Sequence, residues 1–97
     1  MTQNEIIEER KRSLCEVFAR ITSADDFALL LEDLCTYNEL EQLSQRLYAA
    51  RLFLEGGTYS KINEETSVSS ATLSRISRCV RHGSGGYTKV LKELIEK

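Results

Sequence analysis

Proline is absent from the 97 residues, and so is tryptophan; the five glycines fall in two places only, Gly56-Gly57 and the stretch Gly83 to Gly86. Proline breaks helices by removing a backbone donor, and glycine supplies the freedom for turns. A chain punctuated this sparingly has long stretches in which helix can run uninterrupted. Alternation of apolar and polar residues with a period of two is also missing, which argues against strands. One histidine, His82, and three cysteines with no Cys-x-x-Cys pair exclude a zinc site of ordinary ligand spacing. Cys15, Cys35 and Cys79, odd in number and scattered, read as buried free thiols in a reducing compartment. No run is long and apolar enough to cross a bilayer, and the opening MTQNEIIEERKRS has none of the apolar core of a secretory signal. A cytoplasmic protein with no membrane partner is expected. No nucleophile is paired with a base and no phosphate loop is present, so neither enzymatic activity nor a cofactor or metal is expected.

What is there is charge, unevenly placed. The formal net charge is −2, but residues 1–57 carry six Lys/Arg against eleven Asp/Glu, while residues 58–97 carry seven against four. Between 66 and 92 there is no acidic residue, and Arg75, Arg78, Arg81, Lys89 and Lys92 make that stretch basic. An acidic body with a basic end points to an anionic partner at that end.

Apolar spacing predicts about six helices. Leu14, Val17, Phe18 and Ile21 form one stripe on a first helix over about 3–21. Ser23, followed three residues later by Asp26, reads as the cap of a short second helix carrying Phe27, Leu30, Leu31 and Leu34. Thr36 and Glu39 form a Thr-x-x-Glu start for a long third helix ending at Gly56-Gly57. Its Leu40, Leu43, Leu47, Ala50 and Leu54 recur at three- and four-residue spacing, which suits packing against another long helix, including one from a second subunit. Two short helices, about 59–66 and 69–82, follow. A glycine joint and a last helix, about 87–96, complete the chain. The organisation expected is a helical dimerisation core over 1–57, a head over 58–82, and the joint with its C-terminal helix over 83–97.

The head has the pattern of a helix-turn-helix, in which two short helices meet across a tight turn. Ile62 is the inward residue of the first helix, Ser67 and Val68 form the turn, and Ser69 can cap the second helix through its hydroxyl. At 100° per residue, Leu73, Ile76 and Val80 fall within an arc of about 60°, and Arg75, Arg78 and His82 fall within another nearly opposite. Ser70, Ala71 and Ser74 lie toward the exposed side near the start. Small and polar residues that allow close approach, followed by guanidinium groups, suit the DNA major groove. The candidate DNA-binding residues are Ser69, Ser70, Ala71, Thr72, Ser74, Arg75, Arg78 and His82, with double-stranded DNA the expected partner. The alternative is a protein-interaction module whose basic head docks an acidic partner.

The run Ser67-Val-Ser-Ser-Ala-Thr-Leu-Ser-Arg-Ile76 resembles the tryptophan-repressor (TrpR) superfamily, and more closely its TrpR-related YerC/YecD branch. The resemblance spans about Ala24 to Lys92. It includes Leu40-Glu-Gln-Leu with Arg46 on the long helix, the Glu55-Gly56 step, and Thr72-Leu-Ser-Arg75. It implies an all-α, intertwined homodimer with two helix-turn-helix heads, acting as a transcriptional regulator and specifically as a repressor. Such motifs favour alanine where Asn63 stands and glycine where Ser67 stands; a serine held at positive φ would cost about 1 kcal/mol. The family's effector site maps onto Thr36, Arg46, Thr72, Arg75 and Cys79. Ile76 and Cys79 stand where the repressors have glycine and serine. An isoleucine there projects into the space of an indole ring, and a thiol is a weak hydrogen-bond partner. Tryptophan as corepressor is thus disfavoured.

Overall fold

The computed structural model describes residues 1–95. Six helices account for nearly all of them: α1 (Gln3–Arg20), α2 (Ala24–Leu34), α3 (Tyr37–Leu54), α4 (Tyr59–Glu65), α5 (Ser70–His82) and α6 (Gly86–Ile95), with no strand among the described residues. The expected continuation of the last helix to Glu96 lies outside the described residues. Side-chain hydroxyls start four of the helices by accepting a backbone N–H from three residues ahead: Thr2, Ser23, Thr58 and Ser69. Such caps satisfy donors that have no partner inside the helix.

The end of α3 is fixed by its two glycines. Gly56 takes φ 92°, its N–H donates to the Phe53 carbonyl at 3.1 Å, and the Gly57 N–H donates to the Leu52 carbonyl at 2.9 Å. This pair of bonds is a Schellman ending, in which the left-handed position costs glycine nothing. Gly57 is needed for space: a Cβ there would stand 2.9 Å from the Leu52 carbonyl oxygen and 3.2 Å from the Ile62 side chain. The close approach of Ile62 is what brings α4 back against the end of α3.

Two compact units divide the chain after Tyr37. The second holds every buried residue among those described. Ala49 and Ala50 from α3, Ile62 from α4, Leu73 and Ile76 from α5, and Leu91 from α6 form one core. Leu52, Phe53, Leu54, Val68, Val80, Tyr87 and Ile95 pack around it. The alanines leave room for the larger side chains of the short helices to reach α3. The long helix assigned from sequence to the dimerisation core therefore shares its interior with α4, α5 and α6.

In the first unit α1 and α2 have no buried residue at all. Their clearest internal contact is between Phe18 and Phe27, whose ring centroids lie 4.8 Å apart. Ile7, Leu14, Val17, Leu29 and Leu34 stay exposed. Cys15 is exposed as well, and Cys35 and Cys79 are half-buried, all three free. The expectation of three buried thiols is corrected: Cys15 lies on a helix that buries no residue in the single chain, and the other two are only half-buried. No helix among the described residues is long and apolar enough to cross a membrane.

Leu73 is fully enclosed at 0% exposure, at the centre of the core. Leu73→Ala is expected to lower stability by about 2–5 kcal/mol, read as the shift of a urea unfolding midpoint. A loss under about 0.5 kcal/mol would mean that the core is not where it is drawn.

Candidate nucleic-acid interface

The turn between α4 and α5 covers residues 66–69 and is extended at both ends. Thr66 has φ −124° and ψ 158°, and Ser69 has φ −64° and ψ 155°. Among the described residues none other than glycine has positive φ. The strain foreseen for Ser67 does not arise, since the turn is built without a left-handed residue. Asn63 is exposed and stays clear of the helix crossing. Val68 packs against the core and the Thr66 hydroxyl donates to the Ile62 carbonyl at 2.9 Å, so the turn is closed on its inner side.

Helix α5 is seated by Leu73 and Ile76, which are buried, and by Val80, which packs beside them. Their spacing leaves the opposite face outward. Ser70, Ala71, Ser74, Arg75, Arg78 and His82 are all exposed, as is the cap residue Ser69. Arg75, Arg78 and His82 line one shallow surface groove together with Cys79 and Gly83. Neither arginine has an ion-pair partner among the described residues. Unpaired guanidinium groups in a row present forked donors to phosphate or base oxygens without first breaking an internal pair. The first turn of α5 carries no acidic residue, so its positive dipole end is not neutralised from within the helix.

Two of the eight candidate residues bond each other. The Ser69 hydroxyl accepts the Thr72 N–H at 3.3 Å and donates to the Thr72 hydroxyl at 3.0 Å. Thr72 is half-buried, so these two fix the start of α5. Tyr59, which sequence reasoning missed, reaches from the start of α4 to the same face. Its hydroxyl donates to the Ser70 carbonyl at 3.1 Å and lies 3.5 Å from the Ser74 hydroxyl. No local sequence signal marks this contact, because it depends on the crossing of two helices.

Four residues of the candidate effector pocket do come together. Arg46, Thr72, Arg75 and Cys79 line a cavity of about 140 Å³, with Ile76 and Tyr87. Thr36 belongs to the first unit, immediately before α3. Small-molecule sites commonly enclose roughly 300–1,000 Å³, so this cavity is small for an aromatic amino acid. Tyr87, from α6, is the lining residue with no counterpart in the sequence reading. A cleft of about 340 Å³ shares Arg46 and Thr72 with this cavity and runs between Glu41, Gln42 and Gln45 of α3 and the turn residues Ser67 to Ser69. No group of acidic, cysteine or histidine side chains among the described residues is placed to hold a metal ion.

Two short helices crossing at a closed turn, the second bare and basic on its outer face, define a helix-turn-helix protein. Comparison with known proteins gives the class more narrowly. The family model for the Trp repressor protein matches residues 9–95. The Bacillus subtilis (strain 168) protein YerC, itself uncharacterized, is 41% identical over 90 residues, covering 90% of this chain and 86% of YerC. Among solved structures, a candidate Trp repressor from Staphylococcus aureus superposes with a TM-score of 0.85 at 31% identity, covering 100% of this chain and 98% of its own. A TrpR-like protein from Eubacterium eligens ATCC 27750 gives 0.83 at 34%, covering 95% of each chain. The chain belongs to the Trp repressor family, a family of DNA-binding regulators rather than of enzymes.

Proposed function

We propose that this protein is a sequence-specific transcriptional repressor that works in the cytoplasm as a homodimer and sets α5 in the major groove of duplex DNA. The observation that carries this is the division of α5 into two faces: Leu73 and Ile76 are held inside, while Arg75 and Arg78 stand outside with no ion-pair partner among the described residues. Ser70, Ala71 and Ser74 form the small polar stretch that approaches base edges. Arg75, Arg78 and His82 follow along the groove or its phosphates.

The homodimer is supported by apolar surface that a single chain leaves bare. Val17 on α1 is 47% exposed, and Leu43 and Leu47 on α3 are 46% and 49% exposed. Exposed apolar patches on a helix mark interaction sites. A two-fold dimer of helix-turn-helix heads calls for a pseudo-palindromic site with half-sites about 34–36 Å apart. Tryptophan is disfavoured as its corepressor, because Ile76 and Cys79 line the cavity beside Arg46 and Arg75 where the repressors have glycine and serine.

Titrating preferred duplexes, selected from a random pool, from 50 to 200 mM salt tests the reading. Affinity is expected to fall steeply with salt, and Arg78→Ala to reduce the slope of log affinity against log salt by about 1 if it meets a phosphate. Tryptophan at millimolar concentration is expected to change affinity by less than twofold. Salt-independent affinity, or none at low salt, would contradict DNA binding; a tenfold gain with tryptophan would contradict the effector reading. Sedimentation at micromolar concentration is expected to show a dimer, and a well-folded monomer would overturn that part.

A further inference from the structure

Tyr59 and Ser74 are fifteen residues apart in sequence, yet their hydroxyl oxygens lie 3.5 Å apart on the outer side of the α4–α5 pair. The Tyr59 hydroxyl has a single proton, and its shorter contact, 3.1 Å, is to the carbonyl oxygen of Ser70. A carbonyl can only accept, so the proton of Tyr59 goes there. What the phenol oxygen has left for Ser74 is a lone pair. In a bond to Tyr59 the Ser74 hydroxyl is then the donor, which leaves its own lone pairs for the exposed face. A serine hydroxyl ordinarily rotates to suit any neighbour. Here Tyr59 offers it an acceptor only.

We infer that Tyr59 is a positioning residue that presents Ser74 to DNA as a hydrogen-bond acceptor. This rests on the reading of α5 as the groove-entering helix. In the major groove the exocyclic amino groups of adenine and cytosine are the donors, whereas thymine O4 and guanine O6 and N7 are acceptors. An acceptor-only Ser74 therefore selects a base bearing an amino group at the position it meets and disfavours the two that lack one there. The aromatic ring is half-exposed on the same side and holds the phenol in place, while the hydroxyl alone sets the polarity.

The test is a set of duplexes in which each position of the selected half-site is changed to all four bases, bound by the wild type, Tyr59→Phe, Ser74→Ala and the double variant. The wild type is expected to prefer adenine or cytosine at one position per half-site by roughly fivefold or more, within the usual cost of one wrong base pair. Tyr59→Phe keeps the ring and loses the hydroxyl. It is expected to cut that preference to within about twofold, leaving the other positions, the salt slope and the helical circular-dichroism signal unchanged. In the Ser74→Ala background the same change is expected to add nothing, since the two residues act as one unit. A Tyr59→Phe variant that keeps the full preference, weakens every position equally, or adds to Ser74→Ala would overturn the assignment while leaving DNA binding intact. A wild type that binds no duplex would remove the reading beneath it as well.

Discussion

Leu73 and Ile76 share one buried cluster with Ile62, the paired alanines of α3 and Leu91, and are almost wholly removed from solvent. Each such side chain taken from water contributes roughly 1.5–3 kcal/mol, and together they fix the rotation of α5 about its own axis. That rotation decides everything the outer surface can do. Turned by a third of a revolution, the helix would put Arg75 or Arg78 against the alanines, where an unpaired charge costs far more than the site could recover. The basic face exists as a face because the apolar one has a single place to go.

The two halves of the chain are stabilised differently. From Asn38 onward the helices share a core that closes within one chain, helped by glycines that stop α3 sharply and let Ile62 approach. Before it, α1 and α2 bring apolar stripes but bury nothing. A helix as short as the 11-residue α2 is marginal in water without tertiary packing. A homodimer, proposed above, would give those stripes their interior and would set the spacing of two heads at the same time. Stability and the geometry of recognition would then have a common origin.

Much of the architecture was legible in the sequence because it is encoded locally. Ser23 and Ser69 cap their helices, Gly56-Gly57 ends the long one, and the inward and outward residues of α5 follow from a period of 3.6. Six helices and the Trp repressor family both follow from those signals and the Thr72-Leu-Ser-Arg75 run. What escaped depends on how elements cross. The contact of Tyr59 with Ser70 and Ser74 needs the angle between α4 and α5, and the place of Tyr87 beside Arg46 and Arg75 needs the path through the glycine joint. Ser67 was misjudged for a related reason: a turn of this kind can be made without a residue at positive φ, and a motif written as a string of letters does not show which solution a chain adopts.

The claim at the centre is that α5 meets DNA with its outer face while Leu73 and Ile76 stay inside. Backbone and methyl NMR spectra, recorded as a selected duplex is added, test it most directly. The account predicts the largest amide shifts from Ser69 to Arg78, with the methyl groups of Leu73 and Ile76 remaining in their native environment. Shifts concentrated on α1 or α2 with α5 undisturbed, or loss of the native Leu73 and Ile76 methyl signals on binding, would contradict it.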